Sequence, residues 1–172
     1  DAAMLFAPVA ATKPGPAAYG LQPGGYVLVT VHRAAATDTR DALEGLVAVL
    51  GAIDGQTVFP VHPRTRHKLE QAGLWEQVTQ IANLHLAPPV GYLDFTALLT
   101  AARAVVTDSG GVQKEAYFHN VRCVTLRDET EWVELVESGW NRLAPPTSVE
   151  ALTAAFRAAI GSTGQPVRPY GD

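Results

Sequence analysis

Residues 105–116 read VVTDSGGVQKEA, which predicts a buried strand, a tight turn and the start of a helix. A helix N-terminus presents free backbone N–H groups and the positive end of the helix dipole. Gly110 and Gly111 have no Cβ, so a phosphate can approach the backbone closely. Glu115 follows about one turn later, where its carboxylate can meet the two hydroxyls of a ribose. Ser109 before a glycine turn is also an ordinary N-cap, but strand, turn and acid together predict a nucleotide-diphosphate site.

Short apolar strands alternate with single helices on both sides of this segment. Strands are predicted at 26–31, 57–61, 84–87, 104–107, 122–126 and 141–143, and helices at 37–53, 64–72, 92–102, 111–118, 131–137 and 148–160. This alternation indicates βαβ units, and hence an α/β fold with a Rossmann-like doubly wound parallel sheet. We expect residues 23–163 to form the domain, residues 1–22 to be a lead-in or linker, and residues 164–172 to be a tail.

Composition excludes several classes of protein. The chain has 172 residues, 47% of them hydrophobic, which is enough for one buried core. Its net charge is −4 without a basic cluster, so no nucleic acid is expected as a partner. No apolar run has the roughly 20 residues of a membrane span, so no membrane partner is expected either. The single cysteine, Cys123, allows no internal disulfide, and no signal peptide is apparent, which together favour the cytoplasm. No metal and no cofactor is predicted.

Polar residues follow the predicted strands, where ligands bind in parallel sheets. If all strands run parallel, one edge of the sheet gathers His32, Arg33, His62, Ser109, Arg127 and Glu131. Each of these residues alone is more often a surface or capping residue, and Thr130 before several acids is a plausible helix N-cap. Their convergence instead predicts cationic groups beside a helix N-terminus, an arrangement that holds a pyrophosphate.

Five segments resemble the C-terminal domain of the non-hydrolysing UDP-N-acetylglucosamine 2-epimerases. They are VTVHR (29–33), VHPRT (61–65), GYLDF (91–95), VTDSGGVQKEA (106–116) and LRDETEWVELVESGWNRL (126–143). The resemblance implies one half of a glycosyltransferase-B-like two-domain fold with a UDP-sugar bound in the cleft, and a homodimer for the intact enzyme. It also implies a reaction: the C2 proton is removed and UDP is eliminated, and UDP then adds back to the 2-acetamidoglucal so that C2 is inverted, without an external cofactor.

The resemblance assigns a role to each matching residue on the nucleotide side of the site. The backbone at Phe95 would receive the uracil, and Glu115 would bind the ribose. Ser109, Gly110 and Gly111 would hold the pyrophosphate.

On the reacting side, the resemblance assigns His32 as the active-site histidine that assists the departing UDP phosphate. Arg33 and His62 would contact phosphate or a second nucleotide-sugar site. Arg127 would line the pocket for the sugar and phosphate.

The match is not complete. Val90-Gly91 replaces the glutamine that many bacterial members have before the loop tyrosine, and Trp132-Val133 replaces the Arg-Pro of the last motif. The sugar therefore stays open between UDP-N-acetylglucosamine and diacetamido-uronic acid relatives.

The family's proton-moving carboxylates belong to an N-terminal domain without a counterpart here. We therefore expect an excised domain that is inactive alone and whose partner is the missing domain of the same protein. Two alternatives remain: the donor-binding domain of a glycosyltransferase-B enzyme and a non-catalytic UDP-sugar sensor.

Overall fold

Six strands form one parallel sheet in a computed structural model of the protein, which describes residues 8–10, 12–31, 33–144 and 149–161. The strands are β1 (Tyr26–Thr30), β2 (Gln56–Pro60), β3 (Leu84–Ala87), β4 (Ala104–Thr107), β5 (Arg122–Thr125) and β6 (Asn141–Leu143). Their order across the sheet is β3-β2-β1-β4-β5-β6, and all five neighbouring pairs are parallel.

Helices connect successive strands. They are α1 (Ala34–Thr37), α2 (Arg40–Ala52), α3 (Pro63–Gln71), α4 (Trp75–Thr79), α5 (Tyr92–Ala101), α6 (Gly110–Phe118), α7 (Val133–Glu137) and α8 (Val149–Gly161), with a 3₁₀ helix at Gly15–Tyr19 before the first strand. Among the residues that the structure describes, no helix has the length and apolar character needed to cross a membrane.

The central strands are buried on both faces, which is why their sequences are continuously apolar instead of alternating. In β1, Val27 and Val29 face a core that includes side chains of α2, α3, α4 and α8. The intervening Tyr26 and Leu28 face the opposite core, which includes side chains of α5 and α6. The two cores confirm the doubly wound parallel sheet that the alternation predicted.

Element boundaries agree with the sequence within one residue for most strands. Four elements differ. The helix predicted at 37–53 begins only at Arg40, after the N-cap Thr39. The helix predicted at 131–137 begins only at Val133, and the short helices α1 and α4 were not predicted. Segments of four or five residues carry too little helical periodicity to be recognised against their neighbours.

Part of the predicted lead-in packs against the domain. Gly15 and Pro16 in the 3₁₀ helix are buried, and Tyr19 packs against the core on the α5 side of the sheet. The Gly24 amide also donates a hydrogen bond to the Ala101 carbonyl at 2.7 Å. These residues are therefore not a free linker. The predicted tail at 164–172 lies outside the described residues.

Candidate nucleotide-binding site

The strand order places a crevice at the carboxyl ends of β1 and β4. The chain moves outward from β1 through β2 to β3 on one side, and from β4 through β5 to β6 on the other. The connections therefore diverge between β1 and β4, the position at which doubly wound sheets bind ligands. The loops after β1, β4 and β5 meet at this crevice.

Two side-chain contacts tie the ends of β1 and β4 together. The hydroxyls of Thr30 and Thr107 lie 2.7 Å apart. Asp108 is 1% exposed, and its Oδ2 accepts a hydrogen bond from the Arg33 backbone amide at 2.7 Å. A buried carboxylate needs such donors. Asp108 therefore fixes the loop after β1; an acid directly after a buried strand could have marked it as a functional residue, but not identified its partner.

The glycine turn follows Asp108 as the sequence predicts. Ser109 is the N-cap of α6, and its Oγ accepts a hydrogen bond from the Val112 amide at 3.4 Å. Its own amide donates to Thr107 Oγ1 at 3.0 Å. Gly110 and Gly111 are the first residues of α6, where backbone amides have no acceptor within the helix. The turn thus directs helix-terminal amides into the crevice.

A carboxylate already lies at this helix N-terminus. Glu131 is so close to Gly110 that a Cβ at that position would overlap its Oε1. Its Oε2 accepts a hydrogen bond from Arg127 Nη1 at 3.1 Å. The pKa of Glu131 is lowered, first by its own backbone amide and then by Arg127 and Arg33, against the opposing effect of burial. The ionised form of Glu131 is therefore favoured beside Gly110.

A pocket of about 470 Å³ opens beside these groups. Its lining is Arg33, Ala36, Asp108, Leu126, Arg127, Asp128 and Glu129, which come from the loops after β1, β4 and β5. The two arginines suit an anion with several acceptor oxygens, such as a pyrophosphate, although three carboxylates share the lining with them.

A second pocket, of about 190 Å³, lies on the β2 and β3 side of the crevice. Phe95 and Val112 form apolar parts of its wall, and His62 lies at its edge. His62 also caps α3, because its Nδ1 accepts a hydrogen bond from the Arg64 amide at 3.1 Å. The Phe95 amide donates to the Gly91 carbonyl at 2.9 Å within α5. The amide of Phe95 is therefore engaged, and the residue also lines the pocket.

Glu115 points from α6 toward the start of α5. Its Oε1 accepts a hydrogen bond from the Tyr92 hydroxyl at 3.3 Å. Partial burial raises the pKa of Glu115, and the hydrogen bond from Tyr92 opposes that rise. A half-buried carboxylate with unused acceptor positions can bind further hydroxyl donors.

Of the residues predicted to converge, Arg33 and Arg127 line the first pocket. Glu131 is paired with Arg127 and lies against Gly110, next to Ser109. His62 and Phe95 lie in the second pocket instead. His32 lies outside the described residues. Across the described part of the chain, no group of three or more His, Cys, Asp or Glu side chains is placed to hold a metal ion.

The sequence did not reveal the partners of the loop after β5. Thr130 is not the N-cap of α7, because Trp132 occupies that position without a side-chain capping bond. The Thr130 hydroxyl instead donates to Gln113 Oε1 at 2.5 Å, and the Trp132 indole donates to the Gly110 carbonyl at 2.7 Å. A threonine followed by acids predicts a cap locally, and only the fold brings α6 within its reach.

Comparison with known proteins gives a consistent result. The family model described as UDP-N-acetylglucosamine 2-epimerase matches residues 1–172. A UDP-N-acetylglucosamine 2-epimerase homolog of Methanococcus maripaludis is 52% identical over 118 residues, covering 69% of this chain and 33% of that protein. The UDP-2,3-diacetamido-2,3-dideoxy-D-glucuronate 2-epimerase of Pseudomonas aeruginosa is 41% identical over 168 residues, covering 96% and 44%.

Solved structures agree with these sequence relatives. The UDP-GlcNAc 2-epimerase of Methanocaldococcus jannaschii in complex with UDP-GlcNAc and UDP superposes with a TM-score of 0.85 at 31% identity, covering 99% of this chain and 48% of that chain. The sucrose-phosphate synthase of Thermosynechococcus elongatus, at 18% identity and a TM-score of 0.63, shows a likeness of fold alone. This chain spans less than half the length of each of these four proteins.

Proposed function

Because this chain belongs to the UDP-N-acetylglucosamine 2-epimerase family, we propose that it is the UDP-binding domain of a UDP-sugar 2-epimerase. The observation that supports this most strongly is the glycine turn at the carboxyl end of β4. There the start of α6 lies against Glu131, which is paired with Arg127, and Arg33 and Arg127 line the neighbouring pocket. A uridine diphosphate needs an anion site, a slot for its base and an acceptor for its ribose hydroxyls, and the crevice offers all three.

Each part of the nucleotide has a partner in this proposal. The amides after Ser109 and the guanidinium of Arg127 bind the pyrophosphate, which attracts both a helix dipole and bidentate donors. The second pocket, with Phe95 in its wall, takes the uracil. Glu115 accepts hydrogen bonds from the ribose hydroxyls beside the one it receives from Tyr92. His62 is placed to contact a phosphate at the edge of that pocket, or a second nucleotide-sugar.

The proposed reaction of the whole enzyme inverts C2 of the sugar. A base removes the C2 proton while the C1–O bond to UDP breaks, which leaves a double bond between C1 and C2. Addition of UDP at C1 and of a proton to the opposite face of C2 then completes the epimerisation. We assign to His32 the donation of a hydrogen bond or a proton to the departing phosphate. The carboxylates that move the C2 proton come from a second domain of the same enzyme. The complete enzyme functions as a cytoplasmic homodimer.

The nucleotide site can be tested on the chain itself. We expect calorimetric titration of the 172-residue chain to give weak binding with comparable affinity for UDP and UDP-N-acetylglucosamine, since much of the sugar-binding surface belongs to the opposite wall of the cleft. Absence of UDP binding would contradict the proposal. A strong preference for the sugar nucleotide would contradict the assignment of the sugar's contacts to a second domain.

The reaction can be tested on the complete enzyme. Incubation with UDP-N-acetylglucosamine or its diacetamido-uronic acid relative in D₂O is expected to place deuterium at C2 of the substrate that it accepts, because removal and return of the C2 proton exchange it with solvent. UDP binding without exchange would contradict an epimerase. Net transfer of the sugar to an acceptor would identify a glycosyltransferase instead.

A further inference from the structure

Gln113 is a buried amide at the centre of a hydrogen-bonded network. It lies in α6 with 1% exposure. Its Nε2 donates to the Ser109 carbonyl at 3.3 Å, and its Oε1 accepts from Thr130 Oγ1 at 2.5 Å and from Asn141 Nδ2 at 2.8 Å. A buried amide without partners costs free energy, so these contacts explain how a polar residue occupies this position.

The network joins three segments that are distant in sequence. Ser109 belongs to the glycine turn, Thr130 to the loop after β5, and Asn141 to β6. Asn141 Oδ1 accepts in turn from the Thr125 hydroxyl at 2.6 Å, so the network ends on β5. Both functional atoms of each of the two amides are used, which gives the network one arrangement of donors and acceptors.

A second contact reinforces the same junction. Thr130 Oγ1 accepts from the Trp132 amide at 3.1 Å, and the Trp132 indole donates to the Gly110 carbonyl at 2.7 Å. The loop that is held in this way carries Arg127 and Glu131 at the anion-binding pocket. The glycine turn and the loop after β5, which carries Arg127 in the lining of the first pocket, are therefore connected through side chains that do not themselves line that pocket.

We propose that Gln113 and Thr130 form a positioning pair that sets the spacing between the glycine turn and Arg127, and thereby tunes affinity for the pyrophosphate. This inference rests on the proposed function of the pocket. A spacing fixed before binding removes the free-energy cost of ordering the loop when the ligand arrives. Glu115 shares α6 with Gln113, but its side chain bonds to Tyr92 of α5, so we expect the pair to affect the uridine half of the site less than the pyrophosphate half.

The test compares UDP with uridine on single-site variants of the chain. Thr130→Val removes the hydroxyl while nearly conserving volume, and it is expected to weaken UDP binding roughly three- to tenfold. Uridine affinity should change less than about twofold. Thr130→Ser keeps the hydroxyl and should restore UDP binding. Thr125→Val is the matched control, because it removes a bond from the same network on the side away from the glycine turn.

UDP affinity is measured by calorimetry and uridine affinity by ligand-observed NMR. Both are measured at a temperature where circular dichroism shows that every variant is folded, so that a change in affinity is not caused by unfolding. If Thr130→Val does not fold, Trp132→Phe tests the same junction by removing the indole donor together with part of the ring, with the same expected split. Equal losses for UDP and uridine, unchanged UDP binding, or an equal effect of Thr125→Val would overturn the inference. Failure of the unmodified chain to bind UDP would instead overturn the proposed function.

Discussion

Replacement of Glu115 tests the ribose contact most directly. Its carboxylate already accepts one hydrogen bond from Tyr92 at 3.3 Å. A carboxylate has about four acceptor positions, so both ribose hydroxyls fit beside that donor. In Glu115→Ala these acceptors are lost, while the glycine turn and the anion pocket keep their contacts.

The size of the effect follows from the number of bonds lost. A hydrogen bond to a charged group contributes about 1.5–3 kcal/mol, and about 1.4 kcal/mol corresponds to a tenfold change in affinity. Two bonds would give twice that range, but the Tyr92 hydroxyl and water compensate in part. We therefore expect a loss equal to one full bond, about 10- to 150-fold in UDP affinity. Glu115→Gln keeps one neutral acceptor and should fall between the alanine variant and the unmodified chain.

The folding stability of Glu115→Ala should not fall together with its affinity for UDP. Burial raises the pKa of Glu115, so the folded state holds its proton more tightly than the unfolded state does. The charged form at neutral pH is therefore a small cost to folding, fully present above the raised pKa and absent below the ordinary value. Glu115→Ala is expected to leave the melting temperature unchanged or slightly raised.

Isothermal titration calorimetry with UDP and with 2′,3′-dideoxy-UDP provides the assay. The dideoxy ligand should bind the unmodified chain as weakly as UDP binds Glu115→Ala. It should bind Glu115→Ala with the same affinity as it binds the unmodified chain. Glu137→Ala, which removes an exposed carboxylate from α7, is the matched control and should bind UDP normally. Unchanged UDP affinity in Glu115→Ala, or an equal loss of the dideoxy ligand, would refute the ribose contact.

Three further predictions follow from the same site. Glu131→Gln removes the negative charge that lies against Gly110 and is paired with Arg127. Because this carboxylate competes with the ligand, calorimetry should show tighter UDP binding by the variant and unchanged uridine binding. Weaker UDP binding would mean that the carboxylate does not compete with the ligand. Because ribose hydroxyls donate to the ionised carboxylate, uridine affinity measured by NMR should be lost as the pH falls through the raised pKa of Glu115. The midpoint of this loss should lie above the ordinary pKa of 4.5, and Glu115→Gln should show no such loss. In the complete enzyme, His32→Ala should lower kcat about 10²- to 10⁴-fold with a smaller change in KM, since a proton donor to the leaving phosphate acts in the transition state; near-normal turnover in steady-state kinetics would remove His32 from the mechanism.

Local chemistry explains why most of the fold was predictable. The strands β3, β4 and β6 begin and end at the predicted residues. For β3 and β4 the reason is that short, mainly apolar runs bounded by polar turns have few other conformations in which to be buried. The glycine turn was also predictable. Its cap and its free amides depend on residues within four positions of Ser109, a distance over which the backbone itself sets the geometry.

Partners across the sheet were not predictable from the chain. His62 and Arg127 both follow strands, yet they line different pockets, because β2 and β5 lie on opposite sides of the central pair in the strand order. Alternation of helices and strands establishes a parallel sheet, but it does not state which strands are neighbours.

The sequence by itself determined the parallel α/β class, from the alternation of its elements. It also determined the glycine turn and the acid one turn beyond it, since these depend on residue types and spacings within one segment. Only the tertiary structure decided that Asp108 holds the Arg33 amide and that Gln113 holds Thr130 and Asn141. These partners are 75, 17 and 28 residues apart. The residues next to a side chain in the sequence do not predict such distant partners. Hydrogen bonds of this kind form only once the order of the strands has brought separate loops to one edge of the sheet.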